Sequence, residues 1–152
     1  MMKIAIGCDH KGYEAKKAII DYLKAKGILV IDEGTYSEQS CDYPDYGYKV
    51  ASKVAKGEVN FGILICYTGI GMSIVANKVK GVRASLVGSI EDAILTREHN
   101  NSNVLCLSAK NTSIELIIKI VDAYLNASFA GGRHQARVDK ITKVENNDYE
   151  ER

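Results

Sequence analysis

The residue types that can do chemistry are concentrated in Cys66-Tyr67-Thr68-Gly69-Ile70-Gly71-Met72-Ser73. Two glycines let the backbone turn tightly and bring several N–H groups to one point, and the positive end of a following helix favours an anion there. The segment reads as a cradle for an oxyanion or a phosphate; the plain alternative is an ordinary glycine-rich turn. It is not a nucleotide loop. A dinucleotide fingerprint needs a third glycine where Ile74 stands, and a Walker loop needs Lys followed by Ser or Thr after its last glycine. Gly7-Cys8-Asp9-His10-Lys11-Gly12 has the Walker glycine spacing but continues into Tyr13-Glu14, so it fails as well.

Cys66 closes an apolar run and faces a helix entrance, where the helix dipole and N–H groups favour a thiolate able to act as a base. Cys8 also closes an apolar run, but the neighbouring Asp9 charge opposes its ionisation. A small buried hydrophobe is the commoner role for a free cysteine. The three histidines, in Asp9-His10, His99-Asn100 and Arg133-His134, all stand where an apolar element gives way to polar sequence. Arg133 and Arg137 are four residues apart, so on a helix they share a face and can present two guanidinium forks to one phosphate, unless they pair with acidic neighbours. Asp42 and Asp45 sit at a helix entrance, where N-capping is the simplest role.

These residues need a scaffold, and short apolar runs alternating with longer amphipathic stretches predict βαβ units around a parallel sheet. Strands are expected at Lys3–Cys8, Ile28–Glu33, Phe61–Cys66, Val82–Val87 and Asn103–Leu107. Helices are expected over Lys11–Lys26, closed by Gly27 at C′, from the Asp42-Tyr43-Pro44 entrance to about Gly57, and over Met72–Lys78, Ile90–Glu98, Thr112–Leu125 and Arg133–Val144. One domain over residues 1–144 with a polar tail at 145–152 is the expected organisation. Ligands in such folds sit beyond the carboxyl ends of the strands.

Twenty basic against nineteen acidic residues give no field that favours nucleic acid or an anionic membrane. No run of about 18 apolar residues exists, and Met1-Met2-Lys3 leads into Ile4 without the apolar region of a signal peptide, so the cytosol is the expected location. Cys8, Cys41, Cys66 and Cys106 are widely spaced without a C-x-x-C pair, which argues for free thiols rather than a zinc cage.

In combination, Ile6 to Gly12, Asp42-Tyr43-Pro44, Gly62 to Cys66, Thr68 to Ser73, Ala76-Asn77-Lys78, His99-Asn100 and Gly131-Gly132-Arg133-His134-Gln135-x-Arg137-Val138 resemble the ribose-5-phosphate isomerase B family, within the ribose/galactose phosphate isomerase group. The resemblance runs from Lys3 to about Ile141. It implies a Rossmann-like three-layer α/β/α fold with about five parallel strands and an additional C-terminal helix. It also implies interconversion of ribose 5-phosphate and ribulose 5-phosphate in the pentose phosphate pathway, without metal or cofactor. The active sites would be shared between subunits of a homodimer or a dimer of dimers. By this resemblance Cys66 matches the base, His99 the ring-opening acid, and Asp9, His10, Tyr67, Thr68, Gly69, Ile70, Gly71, Asn100, Lys110, Arg133 and Arg137 match substrate-binding positions. Tyr67 stands where the family usually has glycine, and Lys110 where arginine is usual. With negative φ, Tyr67 is tolerated and its ring is expected to cover the sugar end of the pocket, favouring pentose over hexose. A 6-phosphorylated hexose such as allose or galactose 6-phosphate is the alternative substrate. A non-catalytic phosphosugar-binding protein is the alternative of a different class.

Overall fold

The computed structural model describes residues 1–151. Its strands are β1 (Lys3–Cys8), β2 (Leu29–Asp32), β3 (Phe61–Cys66), β4 (Ala84–Leu86) and β5 (Val104–Ser108), joined as one parallel sheet in the order β2-β1-β3-β5-β4. The helices are α1 (Tyr13–Ala25), α2 (Tyr43–Ala55), α3 (Ile70–Asn77), α4 (Ile90–Asn100), α5 (Ile114–Asn126) and α6 (Arg133–Glu145).

Side chains that alternate along the inner strands fill two cores. Ile4, Ile6, Ile63, Ile65, Leu105 and Leu107 pack with α1, α4 and α5 on one face. Ala5, Leu64, Cys66, Val104 and Cys106 pack with α2 and α3 on the other. The result is a three-layer α/β/α stack, with α6 laid outside α4. Continuous apolar runs therefore mark strands covered on both faces.

Local chemistry sets the element ends. Gly27 takes φ +77° directly after the Lys26 C-cap of α1, as its C′ position requires. The expected helix from Lys11 begins instead as a 3-10 turn over His10–Gly12, because the Asp9 side chain accepts from the N–H groups of Lys11 and Gly12. The capping role expected of Asp42 fails: it occupies the N-cap of α2, but its side chain accepts no capping hydrogen bond. β4 is shorter than the expected Val82–Val87 because it pairs only with β5. Its outer edge is closed by Asn77, whose side chain donates to the Ala84 carbonyl and accepts from the Ala84 N–H.

Lys16 is the least expected core residue. It is buried within α1, and its Nζ meets Asp32 Oδ1 at 2.6 Å and the Thr35 carbonyl. Thr35 N–H donates to the Cys8 carbonyl at 2.9 Å, and Cys8 N–H donates to Gly34 O at 2.7 Å. Lys16 thus braces the segment beside the end of β1, immediately before Asp9. Lys16→Met keeps the aliphatic stem but leaves Asp32 and Thr35 without their cation. The expected cost is about 2–3 kcal/mol, below that of a fully buried pair because Asp32 is partly solvated. A urea midpoint unchanged from that of the parent protein would refute this role.

Candidate active site

The chain moves outward from β1 to β2 on one side and later to β3 on the other, so β1 and β3 flank a topological switch point. Crevices at such points collect the loops that follow neighbouring strands. Asp9 and His10 follow β1, Cys66 ends β3, and Lys110 follows β5.

Cys66 is buried, and its Sγ accepts the Gly69 N–H at 3.2 Å. That bond closes a turn in which Gly69 has φ +78°, which an L side chain adopts only with strain. Thr68 Oγ1 accepts the Ile70 N–H at 3.2 Å, and Ser73 Oγ donates to the Ile70 carbonyl at 2.7 Å. Among the described residues, no intramolecular acceptor takes the N–H groups of Gly71 and Met72, at the positive end of α3. The arrangement joins a thiol to free donors suited to a developing oxyanion. Cys8 is unsuited to the same work, because burial pushes its thiol up to about 12 despite the nearby Lys16 cation.

Asp9 is buried and uses Oδ1 for the N–H groups of Lys11 and Gly12, at 2.9 and 3.1 Å, leaving its second oxygen outside these bonds. His10 Nδ1 accepts the Cys41 N–H at 3.4 Å, which favours the tautomer with its proton on Nε2. Tyr67 is exposed and lies outside the positive-φ residues, so the turn accommodates it without the left-handed backbone. Its carbonyl accepts from Ser108 Oγ at 3.0 Å and from Lys110 N–H at 2.8 Å, which ties the loop after β3 to the loop after β5.

A second group lies toward the opposite, N-terminal, ends of the strands. Cys66 pairs with Ser108, the last residue of β5, whereas His99 and Asn100 end the helix that precedes Val104, the first. The four steps between Val104 and Ser108 span about 13 Å. α6 starts beside His99: Ala130 N–H donates to the Glu98 carbonyl, and the His99 and His134 rings stack with centroids 4.3 Å apart and planes 12° apart. Desolvation, then His99 and the Arg133 and Arg137 charges, hold His134 below the usual imidazole range. Arg133 and Arg137 are exposed and, among the described residues, enter no ion pair. One chain therefore brings Asp9, His10, Cys66, Tyr67, Thr68, Gly69, Ile70, Gly71 and Lys110 together, and places His99, Asn100, Arg133 and Arg137 toward the other ends of the strands.

Two residues outside the expected set join these groups. His134 enters through its stack on His99, and its position in Gly132-Arg133-His134 was the only sequence signal. Tyr43 enters because its ring lies over Gly71, where an added Cβ would sit 2.5 Å from Cε1. A cavity of about 460 Å³ between α6 and the β4 edge is lined by Arg83, Ser85, Asn100, Ile141 and Glu145 and holds neither a thiol nor a histidine. Among the described residues, no group of three or more His, Cys, Asp or Glu side chains could hold a metal ion.

The family profile described as Ribose/Galactose Isomerase matches residues 4–141. The chain belongs to this family. It is 50% identical over 145 residues to a protein named ribose-5-phosphate isomerase B from Escherichia coli (strain K12), an alignment covering 95% of this chain and 97% of that protein. The ribose-5-phosphate isomerase B structure from Clostridium thermocellum superposes with TM-score 0.95 at 49% identity, covering 96% of this chain and 99% of that one. That from Mycoplasma genitalium, solved with bound ribulose-5-phosphate, gives TM-score 0.92 at 49% identity, covering 95% and 97%. The three-layer family fold is thus shared over nearly the whole chain.

Proposed function

We propose that this protein interconverts ribose 5-phosphate and ribulose 5-phosphate through an enediolate. The carrying observation is the buried Cys66 thiol bonded to the Gly69 N–H beside two unpartnered donors of α3. Names and bound ligand among its relatives point to the same substrate pair.

As a thiolate, Cys66 takes the proton from C2 of the open-chain aldose. The C–H electrons form the C1=C2 bond, and the carbonyl electrons move to O1, whose charge the α3 donors receive. Transfer of the O2 proton to O1 and return of the C2 proton to C1 give the ketose, with O1 as a hydroxyl and O2 as the carbonyl oxygen. His99 assists ring opening by proton transfer, while Arg133 and Arg137 clamp the phosphate. The reaction belongs in the pentose phosphate pathway. Among the described residues, no helix is long and apolar enough to cross a membrane.

Because the two groups of residues lie toward opposite ends of the strands, the complete site is formed by two copies, one supplying Cys66 and the other His99, Arg133 and Arg137. The α6 arginines are exposed and free of intrachain ion pairs, as such a role needs. Complementation tests this directly. Cys66→Ala and His99→Asn chains, each nearly inactive on cyclic ribose 5-phosphate, are mixed after reversible dissociation. Random pairing restores about a quarter of the intact sites, because half of the dimers are mixed and each contains one site with both native residues. No recovery would refute a shared site. His99→Asn alone is expected to impair the cyclic aldose far more than the open-chain ketose. Allose 6-phosphate and galactose 6-phosphate assayed beside ribose 5-phosphate would reveal a hexose preference.

A further inference from the structure

Three neighbouring strands, β1, β3 and β5, each place one residue on the same rim: Lys11 after β1, Tyr67 after β3 and Lys110 after β5. Lys11 Nζ lies 5.8 Å from the Tyr67 ring centroid, and Lys110 Nζ lies 5.7 Å from it. Both distances fall within the reach of about 6 Å over which an aromatic face attracts an ammonium group. Tyr67 thus forms a bridge between cations brought from either side of β3.

The bridge leaves the charges largely uncompensated. Among the described residues, neither lysine enters an ion pair. Asp9, the acidic residue nearest Lys11 in sequence, uses Oδ1 for the backbone N–H groups of Lys11 and Gly12. Two ammonium groups near one ring repel each other, and an anion bound at that rim relieves the repulsion. The Tyr67 carbonyl, held by Ser108 Oγ and Lys110 N–H, fixes the ring's attachment relative to the Lys110 backbone. The rim stands at the crevice where Cys66 and the α3 donors lie, so an anionic substrate approaching the thiol meets it.

We infer that Lys11 is a further substrate-binding residue, which together with Lys110 forms a two-cation rim across Tyr67 that captures the phosphate of the sugar. This rests on the isomerase reading above. The rim draws in the anion and favours its binding, whereas proton transfer remains with Cys66. The Tyr67 ring sets the spacing of the two lysines.

The test compares the native protein with Lys11→Gln, Lys11→Arg and Tyr67→Leu. It measures kcat and KM on ribose 5-phosphate at low and high salt, and the Kd for inorganic phosphate by calorimetry. Lys11→Gln is expected to lower kcat/KM about fivefold at low salt through KM, with kcat within about twofold, and to weaken phosphate binding by a similar factor. The loss should fade near 0.5 M salt, where screening shortens to roughly 4 Å. Lys11→Arg should restore most of the loss, and Lys11→Gln should cost less in a Tyr67→Leu background. Unchanged phosphate affinity and kcat/KM in Lys11→Gln would overturn the inference, as would an equal loss at both salt concentrations. If the native protein binds phosphate but turns over no ribose 5-phosphate, the isomerase reading fails. The phosphate measurement on Lys11→Gln then still decides whether Lys11 binds the anion.

Discussion

Cys66→Ala is expected to lower kcat by about three to four orders of magnitude while changing KM only a few-fold. A positioned general base acts mainly in the transition state, and the upper end of its usual contribution applies here because no nearby thiol can replace it. Burial pushes the Cys8 thiol up to about 12, and complete burial raises Cys106 as well. Loss of deuterium from C2 of labelled ribose 5-phosphate provides the direct measurement. Wash-out should collapse in Cys66→Ala and persist in Cys8→Ala, whose effect should be on stability. Native-like wash-out in Cys66→Ala would remove this thiol from the base role.

Gly69→Ala is expected to damage both stability and turnover. Gly69 has φ +78°, and an added Cβ would lie 2.5 Å from Leu86 Cδ1 and 2.9 Å from the Leu107 carbonyl carbon and oxygen. Leu86 is an exposed side chain that can turn away, but the Leu107 backbone is buried in β5 and cannot move cheaply. The turn must shift instead, withdrawing the Gly69 N–H from Cys66 and re-aiming the α3 donors. Backbone strain and overpacking together should cost about 2–4 kcal/mol, and misplaced donors should lower kcat by at least roughly tenfold. Gly88→Ala is the matched control, since its added Cβ meets nothing within 4 Å. Thermal melts and initial rates on both variants decide the matter. Equal Tm and kcat for the two would show that Gly69 is dispensable to the turn.

Much of the site was legible because its signals are local. The apolar run Phe61–Cys66 followed by Gly69 and Gly71 specified a strand, a tight turn and a helix entrance, and the structure has that succession. Helical periodicity likewise placed Arg133 and Arg137 on one helix four residues apart. The resemblance to the isomerase family rested on the same local segments, and the family match confirms it.

Local signals also misled. Asp42 has the residue type and position of an N-cap but accepts no capping bond, because composition specifies what a side chain is able to do and not where it points. The length of β4 was overestimated because an edge strand pairs on one side only, and strand order is not written in any single segment.

The sequence by itself determined the alternation of strands and helices, the Cys66 turn and the membership of the family. Only the tertiary structure decided that Lys16 is buried against Asp32, that Tyr43 covers Gly71, and that Lys11 and Lys110 meet over Tyr67. It also placed Cys66 and His99 near opposite ends of β5, as the shared site implied by the family resemblance requires. Periodicity and capping act over a few residues, which fixes an element and its faces. Contacts between elements depend on strand order and on which helix packs across each face, and those are settled by burying the whole apolar surface at once.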